Sequence, residues 1–366
     1  VQQLTMSEET RLQEIRERID GLDERIQDLL SARAAAAKEV AEIKLTQDSD
    51  AEFYRPEREA QVLRQVKERN TGPLDGEVMA RLFREIMSAC LALEQPLRVA
   101  FLGPEGTFTQ AAAVKHFGHA VTTVPVSAIP DVFRDVSSGS CQYGVVPVEN
   151  STEGVISHTL DMFMTSPLRI CGEVTVRINQ HLMGRVQALS EVRRVFSHQQ
   201  SLAQCRAWLD RNLAHAERLP RGSNAEAARL ARDDAASVAV AGEAAADIYG
   251  LDILVHNIED EPNNTTRFLV IGRNDSAPSG RDKTSLLLSC RNQAGGLCGL
   301  LSPLSAHGIS MTRIESRPSR TNLWEYVFFI DVEGHREDPQ LAQAFQELEE
   351  EANLFRVLGS YPIAVL

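Results

Sequence analysis

The chain contains no run of about eighteen apolar residues, so no stretch reads as a membrane span. Aromatic residues are scarce, 5% of 366, and no block of lysine and arginine offers a face to nucleic acid; the formal net charge is −13. Cysteine is sparse too. The six (Cys90, Cys141, Cys171, Cys205, Cys290 and Cys298) show no CxxC or other metal-ligand spacing, and most lie in apolar contexts suited to reduced, buried thiols. No metal site is expected. The opening VQQLTMSEETRLQE lacks an apolar signal region, and Met6 reads as the natural start, with five residues upstream of it. Without a secretion signal the sequons at Asn150 and Asn264 carry no weight, and a cytoplasmic protein is expected. What is present, 43% hydrophobic and 24% charged residues, is ordinary for a globular protein, and the length calls for about two to four domains.

Residues 8–45 hold no proline and one glycine. Leu12, Ile15, Ile19, Leu22, Ile26 and Leu29 step alternately by three and four, the pattern of one long helix. The same stepping lands on Arg33, so a permanent cation falls on the apolar seam and needs an anionic partner there, an internal glutamate or a ligand. Two shorter helices follow, one opening at Tyr54-Arg-Pro-Glu with Pro56 in its first turn, the other over about 75–95. Three helices, the first roughly 50 Å long, cannot cover that seam within one chain, so a homo-oligomer is expected.

This arrangement resembles the all-helical chorismate mutases, in which long helices of two chains interlock. The resemblance places Arg16 (in IRERID), Arg33, Lys44 (in EIKL) and Glu57 (in RPERE) at substrate-binding positions, with Arg16 reaching into the partner chain's site and Glu57 holding the ring hydroxyl. Arg55 or Arg58 would add a contact. In SACLALE, Cys90 and Glu94 stand where one version of the motif has serine and glutamine, and Ser88 is a further candidate contact. Such residues suit the reaction: chorismate carries two carboxylates and rearranges without acid–base help, building negative charge on its ether oxygen, so fixed cations and donors are what it needs.

From residue 97 to about 275, strand-length apolar runs alternate with helical patterns, the signature of an α/β domain. Several strands end in polar stretches: GPEGTFT with Thr107, VENSTEG with Glu149, Asn150, Ser151 and Thr152, and SHQQSLAQ with Ser197, His198 and Gln204. In NNTTRFLVIG the polar residues instead precede the strand, placing Thr266, Arg267 and Phe268 at its mouth. Ligands of open α/β sheets bind where strand ends meet helix N-termini. GPEGTFT is neither GxGxxG nor a P-loop, so no nucleotide and no other cofactor is implied. Each stretch alone reads equally well as a turn or cap. Together, in this order, they resemble prephenate dehydratase (GPxGTF, VENSxEG, SHxQ, NxTRF). That family's fold is two α/β lobes similar to periplasmic binding proteins, with crossings expected near 174–180 and 262–268. The resemblance assigns Thr266 to departure of the ring hydroxyl, Arg267 to anchoring a carboxylate or bracing the loop, and Asn150, Ser197, His198 and Gln204 to orienting the substrate.

A polar linker, DSAPSGRDKT, precedes a β-α-β-β-α-β pattern: SLLLSC, the turn RNQAGG, a helix over 297–307, strands around Ile314, 325–332 and 355–361, and a helix over 338–352. This order resembles the α+β, ferredoxin-like ACT domains, which bind amino acids between paired copies. GISMTRIESRP matches the phenylalanine-responsive version, with Gly295, Gly296 and Leu297 plus Glu315, Ser316, Arg317 and Pro318 at effector positions. The whole chain thus resembles the bifunctional chorismate mutase–prephenate dehydratases: a mutase over 6–96, a dehydratase over 97–275 and a regulatory unit over 283–366. The residues also allow two other readings, a dehydratase preferring arogenate and a non-catalytic small-molecule sensor.

Overall fold

A computed structural model describes residues 6–47, 52–290, 293–319 and 326–366. Arg291 and Asn292 of the expected RNQAGG turn, and Glu325 of an expected strand, lie outside them. Helix α1 (Met6–Gln47) runs unbroken, and α3 (Gly76–Glu94) packs against both α2 (Pro56–Arg69) and α1. Pro56 fits the first turn of α2, where its missing N–H costs nothing; Asp75 caps α3, accepting from Glu77 N at 2.7 Å. From Glu8 to Ala32 every residue of α1 is exposed, and its apolar stripe from Leu12 to Leu29 stands 37–68% accessible. Among the described residues no helix is long and apolar enough to cross a membrane.

The α/β region forms two lobes. The first is built from β1 (Arg98–Leu102), α4 (Phe108–Phe117), β2 (Thr122–Val126), α5 (Ile129–Ser137), β3 (Tyr143–Asn150), the short β4 (Gly154–Val155), α6 (Ser157–Thr165) and β5 (Arg169–Arg177). The second follows with β6 (His181–Gly184), β7 (Arg194–His198), α7 (Gln199–Gln204), α8 (Arg206–Asn212), β8 (Glu217–Arg221), α9 (Asn224–Arg232), β9 (Ser237–Ala241), α10 (Glu243–Tyr249) and β10 (Asp252–Val255). The chain then returns, and β11 (Thr265–Gly272) inserts antiparallel between β3 and β5, giving a first-lobe order of β2-β1-β3-β11-β5; the second sheet runs β10-β6-β9-β7-β8. The crossings fall at 178–180 and 256–264. The return begins earlier than expected because β10 ends at Val255 and the chain turns at Asn257, φ +53°.

The last segment comprises β12 (Asp282–Ser289), α11 (Gly296–Ala306), β13 (Met311–Pro318), β14 (Tyr326–Glu333), α12 (Pro339–Glu351) and β15 (Leu354–Pro362), an antiparallel sheet of order β13-β14-β12-β15. Its two faces bury different things. Leu286, Leu288, Ile330 and Val332 pack under α11 and α12, whereas Leu287, Val327, Phe329, Leu358 and Tyr361 join the core of the first lobe. Period-two alternation thus sandwiches this sheet between its own helices and the α/β region.

Candidate functional sites

A hollow of about 400 Å³ opens between α1, α2 and α3, lined by Arg33, Lys44, Arg58, Glu59, Cys90 and Glu94 among others. Three cations and two carboxylates from three helices therefore converge where the sequence places the mutase chemistry. Two expected residues do not. Glu57 is buried, takes Arg55 Nε at 2.5 Å and does not line this hollow. Ser88 accepts from Ala120 N at 3.3 Å, on the side of α3 that docks against the α/β region. The reason is helical geometry: at about 100° per residue, Glu57 and Glu59 point to nearly opposite sides. Glu59, which the sequence reading missed among neighbouring acidic residues, faces the hollow and is held by an ion pair with Arg84, whose guanidinium also donates to His116 O. Arg55 borders this hollow and a second one shared with Tyr143 and Asn274. Arg16 lies seventeen residues from Arg33 on one straight helix, a rise of roughly 26 Å, so it cannot enter its own chain's hollow.

Burial pushes the Glu94 carboxyl above its ordinary value, against the opposing pull of Lys44 and Arg33. Desolvation therefore outweighs both cations, and the protonated, hydrogen-bond-donating form persists to higher pH. If Glu94 faces the ether oxygen, mutase turnover falls as pH rises through its pKa, because an ionised carboxylate only accepts and repels the developing charge. Glu94→Gln donates at every pH and flattens that limb. Indistinguishable pH–rate profiles for the two proteins would mean that Glu94 is a bystander.

In the α/β region, Asn150 and Thr266 face each other across the β3–β11 pair. Asn150 Oδ1 accepts from the backbone N–H groups of Thr152 and Glu153, both at 3.0 Å, which fixes the amide and turns its Nδ2 toward Thr266 Oγ1 and Asn264 Oδ1, each at 2.8 Å. Thr266 is thereby an acceptor from Asn150, and its own O–H proton is left to donate elsewhere. Ser151 locks the same corner, its Oγ accepting from Thr265 N at 2.9 Å. Glu153 bridges the lobes, accepting from Gln204 Nε2 at 3.0 Å and from Gln200 Nε2. A hollow of about 230 Å³ beside these residues is lined by Thr152, Glu153, Ala203, Gln204 and Asn264, and by Glu259, Asp260 and Glu261. Asn264 and Glu153 sit inside NNTTRFLVIG and VENSTEG, yet their roles depend on partners more than 45 residues away.

Several expected contacts resolve differently. Ser197 is fully buried, donating between Asn224 Oδ1 and Val240 O, so it braces the second lobe. His198 caps α7, its Nδ1 accepting from Gln200 N at 3.4 Å, so Nε2 carries the proton of the neutral ring. Thr107 caps α4, its Oγ1 donating to Leu102 O at 3.1 Å. Phe268 is core, 2% exposed. Arg267 turns away from Thr266 to Glu173 (2.8 Å) and Asp331 (2.6 Å), and Glu149 pairs with Arg313 at 3.1 Å. Neither reaches the cleft, because strand neighbours point to opposite faces. In the C-terminal segment Gly295 adopts φ +77° ahead of α11, a conformation that favours glycine, and Leu297 is exposed. Arg317 is not free for an effector; it holds Ser157 Oγ (2.9 Å) and Asp161 (3.0 Å) on α6.

These parts define a class of protein: a helical mutase unit, a two-lobed dehydratase and an ACT unit on one chain. Three family models match in that order: chorismate mutase type II over residues 15–95, prephenate dehydratase over 99–276 and ACT domain over 284–350. A bifunctional chorismate mutase/prephenate dehydratase of Stutzerimonas stutzeri is 55% identical over 365 residues, covering 99% of this chain and 100% of that one. The counterpart from Pseudomonas aeruginosa is 52% identical with the same coverage. A prephenate dehydratase from Arthrobacter aurescens, solved in complex with L-Phe, superposes with TM-score 0.67 at 35% identity, covering 73% of this chain and 90% of that one. The chain belongs to the bifunctional chorismate mutase/prephenate dehydratase family.

Proposed function

We propose that residues 6–96 convert chorismate to prephenate, that residues 97–275 convert prephenate to phenylpyruvate, and that phenylalanine bound to residues 283–366 restrains the second step. In the first reaction the ether C–O bond breaks as a new C–C bond forms within one molecule. Arg33, Lys44 and Arg58 hold its carboxylates, Glu59 takes the ring hydroxyl, and Glu94 donates to the ether oxygen. Each hollow is completed by Arg16 of a second copy, which also covers the exposed stripe of α1, so the working form is a homo-oligomer in the cytoplasm. In the second reaction the ring carboxylate leaves as CO2. Its bonding electrons aromatise the ring and expel the hydroxyl, which gains a proton and departs as water. Thr266 donates to the leaving hydroxyl, Asn150 orients Thr266, and His198 and Gln204 orient the substrate from the other lobe.

The observation that carries this reading is the pair of separate polar sites, one helical and cation-lined, the other built on Thr266 and Asn150. Purified protein given chorismate should yield phenylpyruvate, less so with phenylalanine added. Accumulation of prephenate alone would refute the second activity. The assignment of Glu59 is tested by pairing substitutions: Glu59→Gln should lower mutase kcat/KM at least about tenfold more than Glu57→Gln. The reverse order would restore Glu57.

A further inference from the structure

On the paired strands β3 and β11, Thr266 lies opposite Asn150 and Arg267 opposite Glu149. Alternation gives the first pair to the cleft and the second to the other face, where the C-terminal sheet packs. Both members of the second pair end on that sheet. Arg267 donates to Asp331 on β14 at 2.6 Å and to Tyr361 on β15 at 3.0 Å; Glu149 accepts from Arg313 on β13 at 3.1 Å. Arg267 also holds Glu173 of β5, whose carboxylate Lys283 of β12 grips at 2.8 Å. The side chains of Arg267, Glu173 and Asp331 are 15, 7 and 6% exposed. Little water screens these charges, so their geometry is closely held. Farther along β13, Arg317 fixes the strand to α6, the helix following the Asn150–Glu153 turn.

We propose that the Arg267–Asp331 and Glu149–Arg313 ion pairs transmit the state of the regulatory sheet to the dehydratase cleft. This rests on phenylalanine being the effector. Each cleft residue has a covalent neighbour anchored in that sheet, one peptide unit away. Any shift of β13 or β14 relative to the first lobe therefore pulls on Thr266 and Asn150 directly, without an intervening loop. Arg267 is accordingly a positioning residue, and its strand holds the catalytic hydroxyl on one face and the regulatory tie on the other. Coupling between two sites in proteins typically changes affinity by about 5–150-fold, a range that two well-held ion pairs can carry.

The test uses the full chain. Arg313→Met leaves Glu149, 39% exposed, still solvated. It should turn over prephenate with kcat and KM within about twofold of the unmodified protein and still bind phenylalanine in calorimetry. The concentration giving half-inhibition should rise at least about tenfold. A second protein, Arg267→Met with Asp331→Leu, replaces the pair by apolar groups and leaves Glu173 with Lys283, so neither change strands a buried charge. It should also resist inhibition, with lower kcat at unchanged KM because Thr266 loses its brace, while chorismate turnover reports that the chain is folded. Normal inhibition of Arg313→Met overturns the proposal and leaves the effector reading standing. Loss of phenylalanine binding by Arg313→Met overturns it too, since Arg313 would then be part of the effector site. An unmodified protein that neither binds nor responds to phenylalanine removes the effector reading, and the proposal with it.

Discussion

Arg33→Ala should lower chorismate turnover by about 10²–10³-fold or more and leave turnover of supplied prephenate within about twofold. The residue sits on the apolar register of α1, at the edge of the hollow it shares with Lys44, Arg58 and Glu94. Arg33 is half-buried at the hollow, where Lys44 adds a second cation, so the site is preorganised for a carboxylate before substrate arrives. Removing it forfeits a charge-assisted contact from a planar guanidinium, whose geometry lysine would not reproduce. The dehydratase residues Asn150 and Thr266 lie on other secondary structure, bonded to Asn264 and to the Asn150–Glu153 turn, with no member shared with the helical hollow. Equal loss of both activities in a folded protein would mean one shared site and would sink the two-site reading.

Thr266→Ala should cut prephenate turnover by about 10²–10³-fold while chorismate turnover persists. Asn150 Nδ2 donates to Thr266 Oγ1 at 2.8 Å, so the hydroxyl accepts from protein and its O–H can donate a hydrogen bond to the leaving group. Alanine deletes that donor and removes one acceptor of Asn150 Nδ2, which keeps Asn264 Oδ1. Thr266→Ser keeps the hydroxyl and the Asn150 bond, and it should retain most of the activity; its extra χ1 freedom is the only loss. Alanine and serine behaving alike would show that the hydroxyl has no part in the reaction and that the polar residues before β11 are a turn.

Much of this was legible in the chain. The three- and four-residue stepping of Leu12 to Leu29 gave α1, and the unbroken VVPV and FLVI runs gave strands buried on both faces. The local part of a site was legible where one motif holds it: Asn150 Oδ1 caps its own ENSTE turn, whereas the meeting with Thr266 depends on strand register. Site residues were not legible where the partner is remote. Glu57 and Glu59 are interchangeable in RPERE, and only Arg84, 25 residues on, shows which one is held at the hollow. Ser197 reads as a strand-end ligand until Asn224 and Val240 close over it.

The sequence by itself determined which chemistry is available and on which element it rides, because period 3.6 and period two are local consequences of backbone geometry. Tertiary structure decided which way each polar side chain is used. Arg267 and Thr266 are adjacent in TRF, and the motif alone suggests a joint task at the substrate. The packing of a sheet some 60 residues downstream placed Asp331 and Tyr361 on one side of β11 and left the cleft on the other. A buried guanidinium goes where its carboxylates are, and no local pattern encodes where a distant strand will bring them.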